Sequence, residues 1–411
     1  MRIAIVDGYS TGELLAKALA NRGVECLHIH SLGYLPSVYD GIFSVEGYTV
    51  DLGYEPEMAR LVQRLTEIGV DRVVAGSECG VLLADTLTNL LKLPGNDSVA
   101  ITARRDKALM ADRVRAAGLR VPHGQAFDSA SDAVSWFVRS GLPEAVAKPT
   151  MSLGTDNVHF CADADELEAA CRRILGACNL YDEPNTKVIV QERLRGVEYY
   201  LNTVSHDGHH RIAEMWRYIK AEGANRAQIY DYEEPVDPRS GEGPRLRAFA
   251  YDVLDALGIR TGAAHTEVML TATGPVLIET GARLGGGTTP EIVEKYFGVS
   301  QTGLLTDALL DPARLLAFTE EGLVSGFTMR KVALINHAAG TLHNYDWLAA
   351  IEALPTAVTA GATVTPGTWL PATVDEASSP GYVYLASADR DEVIRDYYQL
   401  RAQELAGPYT A

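Results

Sequence analysis

The sequence predicts an α/β and α+β multidomain protein, and three observations carry that expectation. Segment 1–96 alternates strand-like and helix-like stretches, the pattern of a parallel sheet with crossover helices. The middle of the chain carries short apolar runs joined by turns, two of which, around Glu267 and Glu279, read as the arms of one hairpin. Beyond residue 300, several short strands with Gly and Pro turns precede a charged helix, which suggests an appended α+β unit.

Element by element, the first unit reads as strand Arg2–Val6, helix Thr11–Arg22, strand Val24–His28, helix Ala59–Ile68, strand Asp71–Ala75 and helix Val81–Leu91. The turn DGYSTGE lacks the G-x-G-x-x-G spacing of a dinucleotide site and is expected to face a substrate instead. Pro94, Gly95 and Asn96 break the pattern, which places a boundary there. A helix from about Ala103 to Ala117, stopped by Gly118, opens a second unit, 97–190. It contains the strand Ala145–Lys148, a loop, a further strand, and the strand Lys187–Gln191. A third unit, 191–300, begins with a short hinge and a strand carrying Glu198, and ends in the hairpin. Within it the polar stretch 220–244, with Tyr230, Asp231, Tyr232 and Glu233, is expected as a solvent-facing loop, with the border of a substrate pocket as the alternative. The last unit, 301–411, reads as helix 301–318, then strand, turn and helix, then strands Ala362–Thr365 and Gly381–Ser387, and a helix from Asp389 to Ala406.

Composition excludes several classes of function. The 411 residues are 47% hydrophobic and 22% charged, ordinary for a globular protein, and the net charge of −18 without any Lys/Arg run argues against a nucleic-acid surface. Cys26, Cys79, Cys161, Cys171 and Cys178 are scattered, with no CxxC, so free thiols are expected in place of disulfides or a zinc site. No run has the length of a membrane span and MRIAIVDGYS has no signal-like apolar core. A cytoplasmic protein is the expectation.

The chemistry is concentrated in AAHTEVMLTATGPVLIETGARLGGG. If residues 271–275 connect the arms and Leu270 pairs with Val276, Glu267 lies opposite Glu279. Opposed carboxylates repel unless a cation lies between them, and a hard divalent ion such as Mg²⁺, with Mn²⁺ as an alternative, prefers oxygen ligands. Such acids also occur as solvated decoration, but Val268, Leu270, Val276 and Ile278 make this a strand buried on at least one face. Arg283 adds a fixed cation, and Gly285, Gly286 and Gly287 allow close approach to the backbone. Lys148 ends an apolar strand, and Gly154 and Thr155 follow it in a loop suited to phosphate oxygens. Together with Lys107 these residues point to phosphate chemistry.

In their order and spacing these residues resemble the ATP-grasp superfamily over roughly residues 1–300, in which two α+β lobes clasp ATP. The resemblance implies a pre-ATP-grasp domain at 1–96 and a two-lobed ATP-grasp domain after it. By that resemblance Lys107 and Lys148 contact phosphate, and Ser152 to Val158, including Gly154 and Thr155, form the mobile loop above it. Glu192 to Leu194 are then the hinge that reads adenine, Glu198 the acceptor of the ribose hydroxyls, Glu267 and Glu279 the Mg²⁺ ligands, and Arg283 the cation facing the transferred phosphoryl. The pattern departs from Glu-x-Asn at Gly281, which puts a third metal ligand in doubt, and the E-x-x-x-R-x-x-G ending is similar to the L-amino acid ligase branch. Glu78, in GSECGVLLADTLTNLLKLPGN, is similar to that branch's residue at the mouth of the cleft, a candidate for binding a substrate ammonium against the alternative of a solvated helix cap. Asp156 in the phosphate loop is a further departure, expected to point outward.

What the resemblance implies is an ATP-dependent ligase. A carboxylate is phosphorylated to an acyl phosphate, which an amine attacks to give an amide or dipeptide with ADP and phosphate. His265 shares a strand face with Glu267 and either orients it, binds the amine or carboxylate, or serves as a hydrogen-bonded strand residue. Gly286 and Gly287 would border the substrates. A carrier-protein thiol as acceptor, or carboxylase-type chemistry, is the alternative. The expected partners are small-molecule carboxylates and amines, with no nucleic acid or membrane, and a homodimer is implied by the resemblance alone.

Overall fold

The computed structural model describes every residue except 42, 153, 223–227, 321–325, 376–377 and 411. The described chain divides into two compact units, residues 1–196, 200–214 and 238–323 in the first and 197–199, 215–237 and 324–411 in the second. No helix among the described residues is long and apolar enough to cross a membrane.

The first unit opens with β1 (Arg2–Val6), α1 (Thr11–Ala20), β2 (Glu25–His30), β3 (Val50–Tyr54), α2 (Met58–Ile68), β4 (Arg72–Ala75) and α3 (Val81–Leu91). The strands pair in parallel in the order β3-β2-β1-β4, as the alternating pattern predicts; β3 is the strand that the sequence alone does not reveal. Only Leu52 of its five residues is buried, so it carries almost no apolar signal. The order reverses between β1 and β4, and the crevice beyond the carboxyl ends of such strands is where open α/β sheets hold ligands. Glu78 sits there, in the turn between β4 and α3.

Next come α4 (Lys107–Ala116), β5 (Gly124–Phe127), α5 (Ala130–Ser140), β6 (Ala145–Pro149), β7 (His159–Cys161), α6 (Ala164–Leu175) and β8 (Val188–Glu192). These four strands form an antiparallel sheet, β5-β8-β6-β7, with α5 and α6 closing a core that includes Phe137, Leu167, Ile174, Val188 and Val190. The helix expected from Ala103 is shorter and is preceded by a 3₁₀ turn at Thr102–Arg104. Asp106 caps α4 by accepting from the Ala108 and Leu109 amides, which fixes Lys107 as its first residue.

Two long strands, β9 (Val197–His206) and β10 (His209–Glu222), belong in part to each unit, and β11 (Gln228–Pro235) belongs to the second. The first unit then continues with α7 (Gly243–Ala256), β12 (Gly262–Thr271), β13 (Gly274–Gly281), α8 (Pro290–Phe297), α9 (Gln301–Leu310) and α10 (Pro312–Ala317). The second is completed by β14 (Thr328–Ala333), β15 (Gly340–Thr341), α11 (Asp346–Glu352), β16 (Ala357–Ala362), β17 (Trp369–Leu370), β18 (Gly381–Ser387) and α12 (Arg390–Glu404). Its core gathers Val332, Trp347, Ile351, Val383, Leu385 and Leu400.

The polar stretch 220–244 is not a solvent-facing loop: β10 and β11 occupy its described first half, residues 223–227 lying outside the described ones. Two of its acids, Asp231 and Glu233, are neutralised by cations remote in sequence. Asp231, bulged out of register between Ile219–Tyr232 and Lys220–Tyr230, accepts from Tyr397 and Arg401, and Glu233 pairs with Lys331. Such partners leave no local trace in the sequence.

Candidate active site

The hairpin β12–β13 sets Glu267 directly across from Glu279, the pairing that the sequence suggests, by a different route. The connection is tighter than five residues, since Thr271 pairs with Gly274, and Leu270 therefore faces Pro275 rather than Val276. A bulge between Glu267 and Val268 then shifts the register by one and restores the carboxylate pair.

Around Glu279 the first unit gathers two ammonium groups. Lys107 Nζ lies 3.2 Å from Glu279 Oε2 and donates to the Ser152 carbonyl at 2.5 Å, while Lys148 Nζ lies 3.8 Å from the same carboxylate oxygen. Both lysines are buried. On the facing strand, His265 Nε2 lies 3.4 Å from Glu267 Oε1, and its Nδ1 is 2.7 Å from Asn202 Oδ1. Asn202 Nδ2 donates to Glu214, so the amide oxygen faces the ring and Nδ1 carries the proton.

A second cluster lies at the switch point of the parallel sheet. Arg283 Nε donates to Glu78 Oε2 at 2.9 Å, and Arg105 Nη1 lies 3.6 Å from Glu78 Oε1. Glu78 is buried, so the solvated helix-cap reading does not hold. Burial by itself raises its pKa, but Arg283, Arg105 and Lys107 outweigh that and hold the carboxyl below its usual range. The same carboxylate explains Gly281: a Cβ there would sit 2.5 Å from Glu78 Oε2. An asparagine at this position has no room.

The glycine segment is held by buried polar residues that the sequence reading passed over. Gln301 accepts from the Gly285 amide at 2.7 Å, donates to the Thr203 and Ala264 carbonyls, and its own amide donates to Glu214 at 2.9 Å. Asn202, Glu214 and Gln301 are polar residues inside buried elements, and that mismatch was their only signal. A Cβ on Gly285 would meet Asn202 Oδ1 at 2.5 Å, whereas one on Gly286 would meet nothing within 4 Å.

The remaining predicted residues are distributed as follows. Ser152 and Gly154 border residue 153, which lies outside the described residues, and Thr155 follows in a turn that closes with Asn157 at φ 51°. Asp156 does not point outward; it turns into the loop, accepting from Ser152 Oγ at 2.5 Å and Asn157 Nδ2 at 2.8 Å. Glu192 ends β8 with its carboxylate on the His123 amide at 2.8 Å, and Leu194 follows it. Glu198 belongs to the second unit, where Lys220 Nζ donates to both its oxygens at 2.8 and 2.9 Å.

A family model for the ATP-grasp domain matches residues 143–291, a span that holds Lys148, Glu267, Glu279 and Arg283. Dapdiamide A synthase of Enterobacter agglomerans is 32% identical over 317 residues, which cover 76% of this chain and 74% of that protein. The chain belongs to the ATP-grasp family. Within the family it falls in the carboxylate–amine ligase branch and is an ATP-dependent ligase forming C–N bonds. Solved structures agree in fold. An L-amino acid ligase from Bacillus licheniformis superposes with a TM-score of 0.75 at 20% identity, covering 98% of this chain and 97% of that one. The ATP complex of a carboxyaminoimidazole ribonucleotide synthase from Aspergillus clavatus gives 0.70 at 15% identity, covering 99% and 98%.

Proposed function

We propose that this ATP-grasp ligase phosphorylates the carboxylate of an amino acid or related acid and couples the resulting acyl phosphate to the amine of a second amino acid. The observation that supports this most is the Glu267–Glu279 pair with Lys107 and Lys148 on one side and Arg283 beyond Gly281. Two carboxylates facing each other across a strand pair form a donor set of hard oxygens, which fits Mg²⁺. Glu267 and Glu279 would hold it, and the bound ion would supply charge neutralisation at the phosphate oxygens.

The chain's own residues do the rest. Lys107 and Lys148 neutralise phosphate charge, and Ser152, Gly154 and Thr155 cover it with a hydroxyl and backbone N–H groups. Glu192 and Leu194 line the adenine side. His265, tethered by Asn202, stands beside Glu267. An oxygen of the donor carboxylate attacks the γ-phosphorus as the bond to the β-phosphate oxygen breaks, and ADP leaves. Arg283 stabilises the acyl phosphate formed, with Gly286 and Gly287 leaving room beside its carbonyl. The amine then attacks that carbonyl carbon, loses a proton, and phosphate departs carrying the donor's oxygen. The protein supplies position and charge, with no covalent enzyme intermediate.

The test is phosphate release from Mg-ATP across a matrix of paired amino acids, with wild type and Glu279→Ala. ADP and phosphate appearing only with particular pairs, and vanishing in the variant, is the expected result; silence throughout the matrix would sink the amino-acid reading.

A further inference from the structure

His265 and Glu267 face one another with a mismatch that only a cation resolves. The Asn202 amide is oriented by Glu214, a carboxylate that can only accept, so the amide oxygen takes the proton on His265 Nδ1 at 2.7 Å. The other ring nitrogen, Nε2, carries a lone pair in the neutral ring, and it stands 3.4 Å from Glu267 Oε1. Two acceptors so placed repel unless a proton or a metal ion lies between them.

The register of the hairpin decides what else shares that face. His265 pairs with Gly281 and Glu267 with Glu279, and alternate residues of a strand share a face. The imidazole and both carboxylates therefore rise from one side of the hairpin, where Gly281 contributes no side chain. Glu279 leans on Lys107 and Lys148, at 3.2 and 3.8 Å, so His265 and Glu267 are the pair whose ligand atoms already stand at the spacing one ion needs. Two ligand atoms about 2.1 Å from one ion are roughly 3.0 to 3.4 Å apart for angles between about 90° and 109°. The 3.4 Å separation meets that, and it is long for a hydrogen bond. An ion can also reach the place, since the side chains of His265, Glu267 and Glu279 keep 10%, 16% and 16% of their surface at solvent.

We propose that His265 Nε2 is a protein ligand of the divalent ion held by Glu267 and Glu279, so that the centre is mixed nitrogen and oxygen instead of carboxylate alone. This rests on the metal reading of the two glutamates and adds to it the kind of ion preferred. Imidazole favours a transition ion such as Mn²⁺ over Mg²⁺, which prefers oxygen throughout. Asn202 and Glu214 are then positioning residues, because a ligating histidine is oriented through the bond from its other ring nitrogen. The Tyr200 ring, centred 5.2 Å from the imidazole, packs against it.

The experiment is electron spin-echo envelope modulation on the full chain with Mn²⁺ and ADP, which detects nitrogen bonded to the ion. Wild type shows the ¹⁴N coupling of a bound imidazole. Protein carrying ¹⁵N-histidine shows the ¹⁵N coupling in its place, which separates the imidazole from the nitrogens of the nucleotide, and His265→Gln shows neither. Calorimetry on the same proteins gives a Mn²⁺ over Mg²⁺ affinity ratio about tenfold lower in His265→Gln. The wild-type spectra need no variant, so a poorly folded His265→Gln leaves the test intact. Bound Mn²⁺ without nitrogen coupling, a coupling that ¹⁵N-histidine or His265→Gln leaves unaltered, or an unchanged affinity ratio in a folded variant would overturn the ligand assignment and leave the glutamate pair standing. Failure of the chain to bind Mn²⁺ with ADP at all would sink the metal reading and this inference together.

Discussion

Gly281→Ala is the sharpest perturbation of this site, because its effect runs through one atom. The backbone at Gly281 is not in the left-handed region, so alanine is conformationally permitted. The added Cβ would lie 2.5 Å from Glu78 Oε2 and 3.3 Å from Arg283 Nε. An ordinary carbon–oxygen contact needs about 3.4 Å, so the carboxylate must retreat by roughly 0.9 Å. Glu78 is buried between two guanidinia, and its retreat stretches the 2.9 Å bond from Arg283 beyond hydrogen-bonding range. Losing one charge-assisted hydrogen bond costs about 1.5–3 kcal/mol, which is roughly 10- to 150-fold in kcat/KM if the bond persists in the transition state. The assay is ADP release, with thermal unfolding alongside. Gly286→Ala is the steric control, since its Cβ meets nothing within 4 Å and the fold should be unaffected. A double-mutant cycle with Glu78→Ala decides the mechanism: Gly281→Ala should add almost nothing once Glu78 is gone. Wild-type activity in Gly281→Ala, or full additivity in the cycle, would refute the argument.

Two further predictions concern stability. Arg104, fully buried, donates to Asp85 at 2.6 Å and to the Leu257 and Asp97 carbonyls, so Arg104→Met should cost about 3–5 kcal/mol by leaving Asp85 buried and unpaired; in denaturant unfolding the double variant with Asp85→Asn should lose less than the single one. His28 is fully buried, its Nε2 accepting from the Gly8 amide at 3.0 Å, and burial lowers its pKa to about 4 from 6.5. Below pH 6.5 the unfolded chain then binds a proton that the native state refuses, so stability falls as pH drops from 6.5 to 4, by roughly 3 kcal/mol in all. That slope, read from unfolding at several pH values, should flatten in His28→Asn; an unchanged slope would remove His28 as its cause.

The parallel sheet was legible because a strand buried on both faces writes a continuous apolar run, as IAIV does in β1, and helix α3 was bounded as expected by its apolar periodicity. β3 was not, being mostly exposed, and neither was β11, whose Glu233 and Asp231 meet Lys331 and Arg401 about 100 and 170 residues away. In the site, the sequence pairs Glu267 with Glu279 through a five-residue connection and a Leu270–Val276 pair, a register that the hairpin does not have. The bulge that realises the carboxylate pair could not be read, since it depends on a tight turn and one displaced residue. Asn202 and Gln301 were invisible for a different reason: what marks them is their hydrogen bonds to Glu214, a property of the folded chain alone.

In the proposed mechanism the donor carboxylate takes the γ-phosphoryl group of ATP before the amine attacks. Its most direct test is turnover with donor carboxylate labelled with ¹⁸O, followed by mass spectrometry of the released phosphate. One labelled oxygen per phosphate, with ADP as the nucleotide product and no transfer in Glu279→Ala, is the predicted result. Unlabelled phosphate, or AMP with labelled oxygen in the nucleotide, would contradict the mechanism.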